Sequence, residues 1–179
     1  MALKPTIFKV TLHRSDLNND VYDSINLTVA QHPSENTERM MSRILAFALL
    51  PAQEFLMFTK GLSNVDDPDI IAKSLADELL QWVDMGEPAF ARIKKASHAA
   101  KSVVIYSFNS KSDVWWKQGE KDFKKLKNLS VYQFDFSQIQ ALTKQVKRSM
   151  ELSITISGES CYIASELGEC EVVCTTLKE

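Results

Sequence analysis

The chain has 179 residues, of which 45% are hydrophobic and 25% are charged, and its formal net charge is −2 at pH 7. This is the balance of a globular protein, so the composition excludes a largely disordered chain. No stretch approaches the roughly 20 apolar residues that a membrane-spanning helix requires. We therefore predict a single domain over residues 1–179, with no membrane partner.

Both ends of the chain bear on where the protein works. The first residues, MALKPTIFKV, contain no long apolar segment that ends in small residues, so the expected location is the cytoplasm. The three cysteines, Cys161, Cys170 and Cys174, all lie near the C-terminus. An odd number in a protein without an export signal argues against a disulfide framework, and we expect buried free thiols.

The net charge hides an uneven distribution. Residues 1–87 carry 7 basic and 13 acidic side chains, residues 88–148 carry 13 and 4, and residues 149–179 carry 1 and 6. A basic segment between acidic ends is one signature of a phosphate-binding surface. Helices with lysine-rich solvent faces give the same counts, and charge alone favours that simpler interpretation.

Hydrophobic alternation predicts strands early in the chain, with one helix between them. Residues 5–13 and 21–31 form a predicted hairpin, and residues 54–59 form a short strand. The helix runs through about Leu50, with Ser34 as its predicted N-cap.

The segment from Asp69 to Gly86 follows an acid-rich loop at residues 61–68, called the acidic loop below. Taken alone, its apolar residues have the spacing of a helix: Ile71, Leu75, Leu79 and Trp82. The alternative is a hairpin with strands at residues 69–74 and 79–85. Local pattern does not choose between the two.

The second half of the chain predicts alternating helices and strands and then a three-stranded meander. Helices are predicted over residues 88–101, 112–127 and 137–148, the last with Ser137 as its N-cap. Strands are predicted over residues 103–108, 129–134, 152–156, 161–164 and 171–175. Because strands alternate with helices only in the middle, the predicted fold class is α+β, with a mixed sheet flanked by helices.

Sequence motifs exclude several standard sites and leave a set of carboxylates. The chain has no GxGxxG or GxxxxGK[ST] motif, so no nucleotide cofactor is expected, and it lacks HExxH and GxSxG. Asp69 lies in an acid-rich stretch, and Asp84 ends an apolar run where an unpaired acid is costly. The hairpin would bring these two acids together as a Mg²⁺ site, whereas a loop acid and a helix-end acid explain them without any site.

The segments MALKPTIFKVTL, HPSENTERMM, FTKGL followed by PD, WVDMGEPAFARIKKA and NLSVYQF occur in this order along the chain. This ordered set resembles the YaeQ family over essentially the whole length. That family resembles the PD-(D/E)xK nucleases in fold. The resemblance therefore implies a nuclease-like mixed sheet with an N-terminal hairpin and a C-terminal β-meander, and it favours the hairpin between Asp69 and Met85 over the helix.

The resemblance also implies the residues of a metal site. Pro68-Asp69 is similar to the PD of the nuclease motif, and Asp84 is similar to its second acid. The lysine of the motif would stand two residues later, where this chain has Gly86. The resemblance implies that the next helix supplies the basic residue instead, from among Arg92, Lys94 and Lys95. Lys95 is preferred, because it shares one helix face with Arg92.

The implied roles follow from the chemistry of the motif. Glu38 resembles the helix acid that completes such sites, with Glu35 as the weaker candidate. Glu38, Asp69 and Asp84 would bind Mg²⁺ or Mn²⁺, and the basic residue would offset charge on the scissile phosphate. The residues expected to contact a nucleic-acid backbone are Arg92, Lys121, Lys124, Lys125 and Lys127.

The expected function is a Mg²⁺-dependent phosphodiesterase that acts on nucleic acid. Two alternatives stay open: a non-catalytic nucleic-acid-binding protein on the same fold, and a protein-interaction module whose acid cluster is a relic. Metal binding separates the first function from both alternatives. Salt-dependent binding to DNA or RNA separates the two alternatives from each other.

Overall fold

The computed structural model describes residues 3–179, and this part of the chain contains ten strands and four α-helices. The strands are β1 (Thr6–Asp16), β2 (Val21–Gln31), β3 (Met57–Phe58), β4 (Ile70–Lys73), β5 (Leu79–Met85), β6 (Ser102–Ser107), β7 (Leu129–Phe134), β8 (Ser149–Ser157), β9 (Ser160–Ser165) and β10 (Gly168–Lys178). The helices are α1 (Thr37–Leu49), α2 (Phe90–Ala99), α3 (Ser112–Phe123) and α4 (Phe136–Leu142). The α+β class is confirmed.

The chain forms two compact units. The first comprises residues 3–50 and 134–174, and the second comprises Pro51–Gln133 and Thr175–Glu179. The chain therefore leaves the first unit after α1, builds most of the second, and then returns. Strand β10 begins in the first unit and ends in the second. The single domain expected for residues 1–179 stays a prediction.

The first unit contains a sheet in the order β2-β1-β8-β9-β10. β1 and β2 pair antiparallel over their full length, which confirms the predicted N-terminal hairpin. β8, β9 and β10 pair antiparallel in sequence order, which confirms the C-terminal meander. β1 also pairs with β8 in parallel, with Lys9 opposite Ser149. No local pattern in the sequence predicts that last pairing.

Helices α1 and α4 contribute to the apolar core of this unit. Met41, Ile44 and Leu45 of α1 lie with Leu142 of α4 against apolar side chains of β8 and β9. Every second residue of β1, from Phe8 onward, is buried, as the alternation of a strand on a core requires.

The N-caps predicted for α1 and α4 are both wrong by two residues. Asn36, not Ser34, accepts a hydrogen bond from the backbone N–H of Arg39 at 2.8 Å. Asp135, not Ser137, accepts from the backbone N–H of Gln138 at 3.0 Å. Capping residues follow one another in both stretches, so residue type alone does not choose among them.

A buried ion-pair cluster joins the start of α1 to the helix body. The guanidinium of Arg43 donates to both oxygens of Glu35, at 2.7 and 2.8 Å, and Arg39 donates to the same carboxylate at 3.1 Å. The Glu35 and Arg43 side chains are each only 2% exposed. Glu35 is therefore held in a structural ion pair, and its place as the weaker candidate for a metal ligand stays a prediction.

The cysteines are free thiols, as expected, but only Cys161 is fully buried; Cys170 and Cys174 are partly buried. Burial, helped by the charge of Asp16, raises the pKa of the Cys161 thiol to about 12. Burial also raises the pKa of Cys170 and of Cys174.

The second unit contains strands in the order β7-β6-β5-β4-β3. β5, β6 and β7 run parallel, while β4 pairs antiparallel with β5 and with the two-residue strand β3. The last residues of β10 lie beside β7, where the Lys178 ammonium donates to the carbonyl of Leu129 at 2.6 Å. The hairpin interpretation of Asp69 to Met85 is confirmed, and the local helix prediction is wrong.

An aromatic cluster anchors α3 to the core of this unit. The Phe123 ring is 2% exposed and contacts Phe90, Trp115 and Trp116, with ring centroids 4.9–6.1 Å apart. α3 ends at Phe123, four residues earlier than predicted. The segment predicted as a helix over residues 137–148 is α4 followed by a 3₁₀ turn at Thr143–Gln145.

Candidate functional site in the second unit

Two buried carboxylates stand at one end of the β4–β5 ladder. Ile70 pairs with Val83, and Asp69 and Asp84 are the residues that flank this pair. Asp69 is 4% exposed and Asp84 is 2% exposed. One oxygen of Asp69 accepts a hydrogen bond from the backbone N–H of Met85 at 2.8 Å. The hairpin thus brings Asp69 to the residue next to Asp84, as the spacing of the two acids predicts.

The cation that contacts Asp84 is the guanidinium of Arg92, from the first turns of α2. Its Nε donates to one oxygen of Asp84 at 2.7 Å, and its Nη2 donates to the other at 2.9 Å. Its Cζ also lies 5.5 Å from the centre of the Trp82 ring. The hydrogen bond to Asp84 is the largest influence on the pKa of Arg92 and raises it; burial opposes the rise, and the charges of Asp84, Asp69 and Asp66 support it.

Arg92 also holds the acidic loop. Its Nη1 donates to the carbonyl of Val65, and its Nη2 donates to the carbonyl of Asp67 at 2.8 Å. The Lys95 ammonium lies 3.7 Å from the carboxylate of Asp66. Arg92 and Lys95 therefore both point toward the segment between β3 and β4, but of these two only Arg92 reaches Asp84. Lys95, the preferred basic residue in the sequence, pairs with the loop.

The remaining predicted residues lie elsewhere. Lys94 is exposed on α2. Lys121, Lys124, Lys125 and Lys127 are exposed at the end of α3 and just after it, where Lys124 pairs with Glu120 and Lys125 pairs with Asp122. Glu38 is half-buried in the first turn of α1, in the first unit. Its role as a third acid stays a prediction.

Sequence reasoning did not identify Glu87, a residue that lies next to the site. The Glu87 carboxylate accepts hydrogen bonds from the backbone N–H groups of Phe108 and Asn109, at 3.1 and 3.0 Å, and from the Ser112 hydroxyl. It thereby joins the end of β5 to the start of α3. The only local signal is its position between Gly86, whose φ is +95°, and Pro88, which together mark a sharp turn.

Two carboxylates are suitable ligands for a metal ion, but one of them is already bound by an arginine. Mg²⁺ takes oxygen ligands, commonly one or two carboxylates completed by water and phosphate oxygens. Asp69 and Asp84 supply such a pair, while Arg92 occupies both oxygens of Asp84. Across residues 3–179, no three His, Cys, Asp or Glu side chains form a group that could hold a metal ion. The residues present therefore fit a two-carboxylate ion only if Arg92 leaves Asp84.

None of the helices within residues 3–179 has the length and apolar character needed to cross a membrane.

Comparison with known proteins places the whole chain among similar sequences and structures. A family model described as "YaeQ protein" matches residues 1–174. The uncharacterized protein YaeQ of Escherichia coli K12 is 35% identical over 180 residues, which cover 100% of this chain and 99% of the relative. The corresponding protein of Salmonella typhi is 34% identical over the same coverage.

Two solved structures have the same fold over nearly their full length. The crystal structure of YaeQ protein from Xanthomonas axonopodis pv. citri gives a TM-score of 0.94 at 30% identity and covers 97% of this chain and 98% of that chain. The crystal structure of YaeQ protein from Pseudomonas syringae gives 0.91 at 32% identity, with 98% and 97% covered.

Proposed function

We propose that this chain, which belongs to the YaeQ family, is a Mg²⁺-dependent phosphodiesterase that acts on nucleic acid. The observation that carries the proposal is the position of Asp69 and Asp84 at the same end of one hairpin ladder. We propose further that this hairpin corresponds to that of the PD-(D/E)xK nucleases, with Pro68-Asp69 as the PD element and Asp84 as the second acid.

The two aspartates would hold the ion, because both are buried at the same end of the β4–β5 ladder. Mg²⁺ or Mn²⁺, when bound, would acidify a water molecule and polarise the scissile phosphate. Burial supports this role, since a buried carboxylate is costly without a cation and gains strongly from one. In the free protein Arg92 provides that cation.

Arg92 is suited to the place of the missing lysine. The guanidinium presents its N–H donors as a rigid fork that matches a phosphate as well as it matches a carboxylate. We propose that Arg92 moves from Asp84 to a phosphate oxygen of the substrate. The Lys95 side chain is 74% exposed, so it can leave Asp66 and offset a second charge. The exposed lysines Lys121, Lys124, Lys125 and Lys127 would contact the phosphate backbone.

The direct test is cleavage of mixed DNA and RNA substrates with Mg²⁺ or Mn²⁺. Asp84→Asn should abolish cleavage, and Lys95→Ala should reduce it on the order of 10²–10³-fold if that ammonium offsets transition-state charge. Lys94→Ala is the matched control, because Lys94 is exposed on the same helix. If Lys95→Ala cuts as well as the wild type while Arg92→Lys does not, Arg92 is the group that acts on the phosphate.

A second test needs no activity. Millimolar Mg²⁺ should raise the melting temperature, because an ion that binds only the folded state stabilises it. This response should disappear in Asp84→Asn. The proposal is contradicted if neither Mg²⁺ nor Mn²⁺ changes the melting temperature of the wild-type protein and the protein cuts no substrate.

One observation favours a second candidate, a nucleic-acid-binding protein without catalysis. Both oxygens of Asp84 accept hydrogen bonds from Arg92, so the charge of this acid is already neutralised without a metal ion. In that case the protein should bind DNA or RNA with an affinity that falls steeply as salt rises, and should cut neither. If it neither binds nor cuts, the interpretation as a protein-interaction module remains.

A further inference from the structure

We infer that Arg92 is a latch: it ties the acidic loop to Asp84, and it opens when a divalent cation takes Asp84. The inference rests on the proposed function for its metal ion, but the latch itself is a property of the metal-free protein. It assigns to the acidic loop a role that no motif in the sequence indicates, namely to respond to occupation of the carboxylate pair.

The latch consists of four hydrogen bonds from one guanidinium. Two go to the oxygens of Asp84, and two go to the carbonyls of Val65 and Asp67. The Cζ of Arg92 also lies 5.5 Å from the centre of the Trp82 ring, a cation–π contact that helps to hold the group. One rigid fork therefore connects the end of β5 with the backbone of the acidic loop, so the position of the loop depends on the position of Arg92.

Thr59 ties the two ends of the acidic loop, because its hydroxyl donates to the carbonyl of Pro68 and accepts from the N–H of Gly61. The exposed stretch at residues 65–66 is held more loosely. Val65 is 78% exposed, so its side chain contributes almost no apolar burial. The side chain of Asp66 is also 78% exposed, and its pair with Lys95 at 3.7 Å is weak because water screens it. Asn64 bonds to Asp67 within the loop itself. These local bonds shape the loop, whereas Arg92 attaches it to the buried acids.

A divalent cation and the guanidinium compete for the same two oxygens. An ion on Asp84 places a second positive charge beside Arg92 in a partly buried setting, where like charges repel strongly. The guanidinium then loses Asp84, and the Val65 and Asp67 carbonyls lose their fixed donor. Because linkage is reciprocal, the factor by which a bound cation shifts the latch toward its open state equals the factor by which the open state binds the cation more tightly than the closed state.

The test is amide hydrogen exchange of peptides from the acidic loop, with and without millimolar Mn²⁺. In the metal-free protein, Arg92→Lys should raise exchange of residues 61–68 about tenfold, because lysine keeps the charge but cannot make the forked contacts. Exchange of β6 should not change. Lys94→Ala, on the same helix, should leave the loop unaffected. If residues 61–68 exchange at the same rate in Arg92→Lys as in the wild type, the latch inference is wrong.

The second part of the test measures the effect of the cation. Mn²⁺ should raise loop exchange in the wild type, and calorimetry should show tighter Mn²⁺ binding to Arg92→Lys than to the wild type. If neither protein binds Mn²⁺, the proposed metal-dependent function fails, while the metal-free comparison still decides the latch. If Mn²⁺ binds the wild type without changing loop exchange, the competition is overturned.

A second variant covers the case in which Arg92→Lys does not fold. The double variant Asp84→Asn with Arg92→Gln removes both charges of the Arg92–Asp84 pair together, so neither member is left buried without its partner. Its acidic loop should exchange faster than that of the wild type, and Mn²⁺ should have no further effect. A loop that stays as protected as in the wild type overturns the latch here too.

Discussion

A Cβ atom at Gly119 would lie 2.2 Å from the ring of Phe123. The ring covers the helix backbone at this position, and it is itself enclosed by Phe90, Trp115 and Trp116. Glycine in the middle of α3 is therefore required by packing rather than by backbone conformation.

Gly119→Ala should consequently destabilise the protein, although alanine is the better helix former by about 1 kcal/mol. Overpacking typically costs about 1–3 kcal/mol, and the buried ring has no room to move. Urea denaturation gives the free energy of unfolding. Phe123→Leu should cost less when it is added to the Gly119→Ala variant than when it is made alone, because it removes the clash. A higher melting temperature for Gly119→Ala would contradict the packing argument.

Arg43→Ala should be more costly than Arg39→Ala. Removing one partner of a buried ion pair leaves an uncompensated charge, which typically costs about 3–5 kcal/mol. In Arg43→Ala, Arg39 still contacts Glu35, so we expect the loss of stability to lie toward the lower end of this range. The Arg39 side chain is 18% exposed, so its own removal leaves the tighter Arg43 pair in place. Equal losses in the two variants, measured by chemical denaturation, would show that the cluster does not depend on burial.

The cap of α4 should be sensitive to acid. The Ser137 hydroxyl, and then the Gln138 N–H, lower the pKa of Asp135 below its ordinary value of 3.8. A lowered folded-state pKa contributes stability that is present above the unfolded value and is lost as the pH falls through the folded value. Ser137→Ala should move this pKa upward in a carboxyl NMR titration.

Asp135→Asn provides the control for that titration. Asparagine caps a helix about as well as aspartate but does not ionise. The amide exchange of α4 should then become independent of pH below about pH 4, after correction for intrinsic exchange. If the acid sensitivity of α4 persists in Asp135→Asn, another group causes it.

Cys161 should resist alkylation in the folded protein. With a pKa of about 12, only about one thiol in ten thousand is ionised at about pH 8, and only the thiolate reacts. Iodoacetamide labelling followed by mass spectrometry should modify Cys161 only after denaturation. Because the raised pKa favours the folded state below the ordinary value of 9.0, stability should fall as the pH rises from there toward 12. Rapid labelling of native Cys161 would contradict its burial.

Sequence periodicity predicted the elements well where the pattern is strong, and it failed where tertiary contacts decide. The strand at Leu129–Phe134 and the hairpin of β1 and β2 follow from alternation alone. The stripe from Ile71 to Trp82 has helical spacing, yet it forms two strands. Leu75, one of its four apolar positions, lies in the turn between them and is 89% exposed. The resemblance to a family, not the local pattern, favoured the correct hairpin.

Sequence reasoning identified the two acids of the candidate site, but it preferred Lys95 over Arg92 as the basic residue. The hairpin interpretation, which the family resemblance favoured, placed Asp69 and Asp84 at the same end of two paired strands. The choice among Arg92, Lys94 and Lys95 depends on how α2 is rotated against β5. Arg92 reaches Asp84 because Ile93 and Ala96 face the core and set that rotation. A helical wheel shows that Arg92 and Lys95 share a face, but it cannot say which one reaches the carboxylate.

The parallel pairing of β1 with β8 sets the order in which the chain can fold during synthesis. Lys9 to Asp16 must wait for Ser149 to Ile156, which emerge from the ribosome more than a hundred residues later. At typical synthesis rates this interval is on the order of ten seconds, during which one long edge of the N-terminal hairpin has no neighbour. We expect the nascent hairpin to be a client of chaperones that bind exposed strands, whereas Pro51–Gln133 holds its central parallel strands within one continuous stretch.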